Sequence, residues 1–161
     1  MNDDDDVVGH VAARLVVSYT HVMSDEQPWY KDGLQFECTQ CGNCCTGAPG
    51  MVWVDDEELQ TIADHLGKSI GEVRLLHTKL YGRRVTLKDY ANGDCTFFDG
   101  AERRCTIYSA RPKQCRSWPF WNSNIASPKD WQEMQADCPG AGQGAFVSLE
   151  EIQQRAAMID V

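Results

Sequence analysis

Hydrophobic positions recur at helical spacing in two adjacent stretches of the 161-residue chain. Leu59, Ile62, Ala63 and Leu66 share one face of a predicted helix, with Asp55 and Glu58 as a capping-box pair at its start and Gly67 at its end. Ser69 with Glu72 repeats the start signal. Ile70, Val73, Leu76 and Leu80 then form a second stripe that runs to Gly82. Each helix has one stripe to bury. Val85 to Leu87 reads as a short strand. Cys95-Thr-Phe-Phe98 and Cys105-Thr-Ile-Tyr108, on either side of Asp99-Gly100, read as a β-hairpin with a short loop. Ser127-Pro128 opens a helix over Lys129 to Ala136, which Cys138-Pro139-Gly140 ends. Ser148 with Glu151 caps a last helix carrying Leu149, Ile152, Ala156 and Ile159. Gly140, Gly142 and Gly144 read as a flexible connection into it.

Residues 34–50 break this regularity. The segment is dense in Cys, Gly and Pro and has neither helical nor strand period, so it is expected to be a loop whose conformation something else fixes. Before it, residues 1–33 read as an acidic extension with one short helix from Val8 to Met23. The division expected is therefore 1–33 as extension, 34–145 as a cysteine-cluster domain and 146–161 as a C-terminal helix packed on that domain. The fold class is small, irregular α+β, with several helices and a short hairpin packed around cysteine loops.

Composition narrows the function classes. Hydrophobic residues make up 42% and charged residues 24%, the balance of a globular chain. The net charge of −9 argues against nucleic acid and against anionic membrane as partners. An Asp3–Asp6 start and the absence of a long apolar run predict a cytoplasmic protein without a membrane span. The charge is uneven, however. Between Arg74 and Arg116 stand ten Lys/Arg and only four Asp/Glu.

Eight cysteines in a chain read as cytoplasmic need a reason, because a reducing compartment disfavours structural disulfides. Cys38, Cys41, Cys44 and Cys45 form C-x2-C-x2-C-C, and a C-x2-C turn brings two thiolates back onto one centre. Gly42 permits the tight backbone this requires. Cys95, Cys105, Cys115 and Cys138 are dispersed, and each alone would read as a small apolar core residue. Together with the dense run they complete two sets of four. Metal ligation is the leading reading, over a disulfide framework and over packing or redox thiols. Neighbouring Cys44 and Cys45 are expected to point apart, toward different centres.

Zinc sites are usually announced by paired knuckles, whereas C-x2-C-x2-C with a remote Cys138-Pro139 is nearer a ferredoxin pattern. An iron–sulfur cluster, 4Fe-4S in particular, is therefore favoured, with Zn2+ as the alternative. Arg111 and Arg116 are the expected compensators of thiolate charge. Trp118-Pro119-Phe120-Trp121 either shields the centre from water or packs in the core. His10, His21, His65 and His77 are scattered, and no set of catalytic residues stands out.

The dense run, followed by Cys105-Thr-Ile-Tyr108-Ser-Ala-Arg111-Pro112-Lys-Gln-Cys115-Arg116-Ser-Trp118-Pro119-Phe120, resembles the YkgJ-type cysteine-cluster family, a CxxCxxCC zinc- or iron-chelating domain. The resemblance extends over roughly residues 34 to 145 and implies that all eight cysteines are metal ligands. Three functions are then in view. The first is an iron–sulfur protein supporting electron transfer or an oxidoreductase, with a protein redox partner. The second is a zinc-stabilised protein-interaction module. The third is a protein-modifying enzyme, since flagellin lysine methylases carry a similar cluster.

Overall fold

The computed structural model describes residues 27–159, so the helix expected from Val8 to Met23 lies outside the described residues. Within them, five helices and three two-stranded antiparallel sheets make up the small, irregular α+β architecture expected. Strand β1 (Leu34–Phe36) pairs with the much later β6 (Ala141–Val147), joining Leu34 to Val147 and Phe36 to Ala141 across a bulge.

Two expectations are corrected by this pairing. The start of the 34–50 segment is a strand, and the glycine-rich stretch after Cys138 is its partner rather than a flexible connection. The glycines are there because two backbones approach closely. At Gly144, which has φ 73°, an added side chain would collide with Glu37.

Helix α1 (Asp56–Leu66) forms as its pattern predicts. The amide of Glu58 donates to Asp55 Oδ1 at 2.8 Å, and the Asp55 amide donates back to Glu58 Oε2 at 3.1 Å. Leu59, Ile62 and Ala63 are buried on its inner face. Helix α2 (Ile70–His77) starts at its predicted cap but stops earlier than the stripe suggests. Only Val73 is buried on it, while Leu76 and Leu80 are 51% and 75% exposed. Residues 78 onward leave the helix because they find a ladder. Strand β2 (Thr78–Tyr81) pairs with β3 (Arg84–Leu87) through the two-residue Gly82-Arg83 turn. Thr78 closes the helix by donating its hydroxyl to the Arg74 carbonyl at 2.7 Å.

The predicted cysteine hairpin is shorter than expected. Strands β4 (Phe98–Asp99) and β5 (Arg104–Cys105) pair, and the Asp99 carboxylate accepts from the amides of Ala101 and Glu102 in the turn. The chain then passes through a 3-10 turn at Tyr108–Ala110 into the short helix α3 (Lys113–Ser117). Helix α4 (Pro128–Asp137) carries the Ser127 cap and the N-terminal proline that the sequence announces. Helix α5 (Leu149–Ala156) buries Ile152 and Ala156 and ends before Ile159.

The buried residues fall into two clusters. One gathers Leu59, Ile62, Val73, Leu87, Phe97 and Ile107. The other gathers Phe120, Trp131, Met134, Val147, Ile152 and Ala156. Among the described residues no helix is long and apolar enough to cross a membrane.

Candidate metal centre

Between these two clusters lies a cavity of about 50 Å³, and all eight cysteines line it. Leu87, Phe97 and Ile107 from the first cluster form part of its wall, and Phe36, Trp118 and Cys138 on the side of the second form another part. Segments 38–45, 95–105, 115 and 138 thus meet at the seam of the fold. All eight are free thiols, with no disulfide among them.

The dense run reaches this seam through a specific backbone path. After β1, the chain turns at Gly42, with φ 78°, into a 3-10 turn at Asn43–Cys45. Any side chain at 42 would enter the ring of Phe98, so glycine serves both conformation and close packing. Arg103 then fastens the loop from outside. Its guanidinium donates to the Cys41 carbonyl at 3.0 Å and to Asn43 Oδ1 at 3.2 Å. Asn43 in turn donates to the Asp137 carbonyl at 3.1 Å, tying the run to the end of α4.

The four dispersed cysteines are delivered by different elements. The Cys95 amide donates to the Cys45 carbonyl at 2.8 Å, which locks one part of the set to the other. Cys105 sits on β5 opposite Phe98. Cys115 lies in α3, and Cys138 caps the end of α4 with its amide on the Met134 carbonyl.

The sulfurs are not equivalent. Cys44 and Cys45 do not diverge as expected: their sulfurs are 3.9 Å apart. The 3-10 conformation, unlike an extended strand, lets successive side chains lean to one side. Cys45, Cys44 and Cys105 also shift one another's titration. The Cys45 thiol pKa is pushed up, with Cys105 and then Cys44 as the largest causes. Those of Cys44 and Cys105 are pulled down, each from 9.0 to about 7. For both, the neighbouring Cys45 thiol is the largest cause, opposed by burial and helped by the positive charge of Arg111. Burial dominates elsewhere. It pushes Cys95 up to about 11, and raises Cys115 and Cys138 as well. The Trp118 indole partly offsets the rise at Cys138 by donating to its sulfur.

Of the two expected compensating cations, Arg111 lines the cavity and Arg116 does not. The Arg111 guanidinium lies over the Tyr108 ring at 3.7 Å and donates to the Tyr108 carbonyl at 2.9 Å. The neighbouring Cys38 thiol, followed by burial, raises the Tyr108 hydroxyl pKa. Much of the remaining basic segment is engaged at the surface: Arg74 pairs with Asp56, Lys79 with Asp89 and Lys113 with Asp55, and Arg84 covers Trp53.

Of the aromatic run, Trp118 touches the cavity, while Phe120 is fully buried in the second cluster and stacks on Trp131. His65 bonds to the Thr106 carbonyl and Ser109, and His77 bonds to Thr96 and stacks on Phe97; neither lines the cavity. His10 and His21 lie outside the described residues. Arg103, Asn43 and Tyr108 were not identifiable from sequence, because their partners are remote or are backbone atoms.

Among the described residues, no three His, Cys, Asp or Glu side chains are gathered as a closed ligand set around a single point. The donor chemistry nevertheless suits a thiophilic metal. Eight sulfurs and one guanidinium face an otherwise largely apolar enclosure.

Comparison with known proteins agrees with this chemistry. Residues 37–139, more than half of the chain, match the CxxCxxCC family, described as "Putative zinc- or iron-chelating domain". The uncharacterized protein MJ0661 of Methanocaldococcus jannaschii is 31% identical over 91 residues, which is 56% of this chain and 48% of that protein. The chain thus spans about half the length of this curated relative. No solved structure matches. With its dense run and four later cysteines brought to one cavity, the chain belongs to the CxxCxxCC family of zinc- or iron-chelating cysteine-rich domains.

Proposed function

We propose that this protein binds an iron–sulfur centre through Cys38, Cys41, Cys44, Cys45, Cys95, Cys105, Cys115 and Cys138, and serves as an electron-transfer component for an oxidoreductase partner. The observation that carries this reading is the convergence of all eight thiols on one cavity. Eight thiolates dividing between two zinc ions would form two closed tetrahedral sets. Here the eight sulfurs line one shared space, from which a polynuclear centre would draw its ligands. Bound there, an iron–sulfur centre would supply one-electron chemistry. The residues' own contribution is to exclude water, through Phe97, Ile107 and Trp118, and to offset thiolate charge, through Arg111.

A second reading, structural zinc in a protein-interaction module, has its own support. A tetrahedral zinc with sulfurs at about 2.3 Å sets those sulfurs about 3.8 Å from one another. The Cys44 and Cys45 sulfurs stand at 3.9 Å, and the cavity of about 50 Å³ is compact.

Protein purified without oxygen and analysed for iron, zinc and acid-labile sulfide separates the two. The first reading expects a brown sample with broad visible absorption and iron matched by sulfide. A colourless protein with stoichiometric zinc would overturn it in favour of the second.

A further inference from the structure

Beside the cysteine cavity lies a second one of about 510 Å³, and the two share Cys44, Cys115, Trp118 and Asp137 as a common wall. Its size is that of a small-molecule site rather than a packing defect. The rest of its lining is mostly apolar, and Trp121 stands edge-on to Trp118 with ring centroids 4.8 Å apart.

The side-chain hydrogen-bonding capacity of this wall is almost wholly engaged within the protein. The Asn43 amide bonds to the Asp137 carbonyl and to Arg103, and the Thr46 hydroxyl to the Asn43 carbonyl. The Gln114 side chain takes the Trp53 amide and gives to the Met51 carbonyl. The Trp121 indole donates to the Gln114 carbonyl and to Ser117 Oγ. One charged group is left over. Among the described residues, the Asp137 carboxylate takes part in no ion pair or side-chain hydrogen bond, and no Lys or Arg lines the cavity. An adjoining cleft shares Trp118 and Asp137 and adds Asp130, which accepts from the Ser127 hydroxyl, and Glu133, which pairs with Lys129.

Two indoles and a free carboxylate select for positive charge on an apolar body. An anion would meet only like charge. A neutral hydrogen-bonding ligand would find most donors and acceptors already taken. A small hydrated metal ion would gain nothing from the indoles. We propose that this second cavity binds a small organic cation of the alkylammonium class, seated on Trp118 and Trp121, paired with Asp137, and held against the outer side of Cys44 and Cys115. Recognition uses the indoles and the carboxylate, so it does not depend on which metal the thiols hold.

Calorimetric titration of the anaerobically purified protein with choline, and with its neutral carbon isostere 3,3-dimethylbutan-1-ol, tests this. Choline is expected to bind about tenfold more tightly than the isostere. Asp137→Asn, an exposed position where the fold is not at stake, is expected to weaken choline about tenfold and leave the isostere unchanged. Trp121→Leu, checked for folding by circular dichroism, should weaken both. Equal binding of the two compounds, no binding of choline, or an Asp137→Asn variant with undiminished preference would each overturn the inference. Metal content measured on the same samples reports on the metal reading separately.

Discussion

Cys45 lowers the thiol pKa of Cys44 and of Cys105, while its own is raised. In metal-free protein at pH 7, Cys44 and Cys105, each with a pKa of about 7, are roughly half ionised, whereas an unperturbed thiol is about 1% ionised. Cys95, raised to about 11, stays protonated. Alkylation by iodoacetamide, followed residue by residue with peptide mass spectrometry, should therefore label Cys44 and Cys105 first. Their labelling should rise through pH 7, while that of Cys95 stays low until well above pH 9. Replacing their common neighbour, Cys45→Ala, should return the Cys44 and Cys105 profiles toward 9.0. A second test concerns the start of the dense run. Cys41→Ser should lower both bound metal and thermal stability, since binding energy lost at a ligand is folding energy lost. Unchanged metal content and an unchanged melting curve would remove Cys41 from the ligand set. The dense run stands out by spacing alone, because C-x2-C-x2-C-C has few other uses. The influence of Cys45 on Cys105 does not, since the two are distant in sequence and meet only through the fold.

Four of the five helices were legible because their signals are local; α3, which has no side-chain cap, was not. Asp55 with Glu58, Ser69 with Glu72, and Ser148 with Glu151 each state a helix start within four residues, and each start is where the fold puts it. The end of α2 was misread for the complementary reason. Leu80 continues the helical stripe, and nothing local reveals that residues 78–81 pair instead with residues 84–87. Likewise, the glycines of β6 look like a linker until Leu34–Phe36, more than a hundred residues earlier, is laid beside them. The correction at α2 has a measurable consequence. Leu59→Ala, at a fully buried position, should cost about 3 kcal/mol in urea unfolding, whereas Leu80→Ala should stay within about 0.5 kcal/mol. Comparable losses at both positions would restore the longer helix.

On the scale of the whole molecule, the thiols lie between two hydrophobic clusters rather than inside either one. Removing the metal with a chelator under anaerobic conditions should therefore lower the melting temperature by about 10 °C or more, and add proteolytic cuts in residues 38–50 first. Equal melting curves with and without metal would mean that the clusters hold together unaided. The convergence of Cys38, Cys41, Cys44 and Cys45 with Cys95, Cys105, Cys115 and Cys138 was expected from their number, but the seam was not, because residues from before the first core, Leu34 and Phe36 among them, pack against the second. The first core takes residues from Val54 to Ala110 and the second from Phe120 to Ala156, while Phe36 and the dense run precede both. A ribosome therefore exposes half of the sulfur set long before Cys138 emerges. Metal captured by the first four thiols alone would be incompletely wrapped, so full enclosure is expected to wait until residue 138 has emerged.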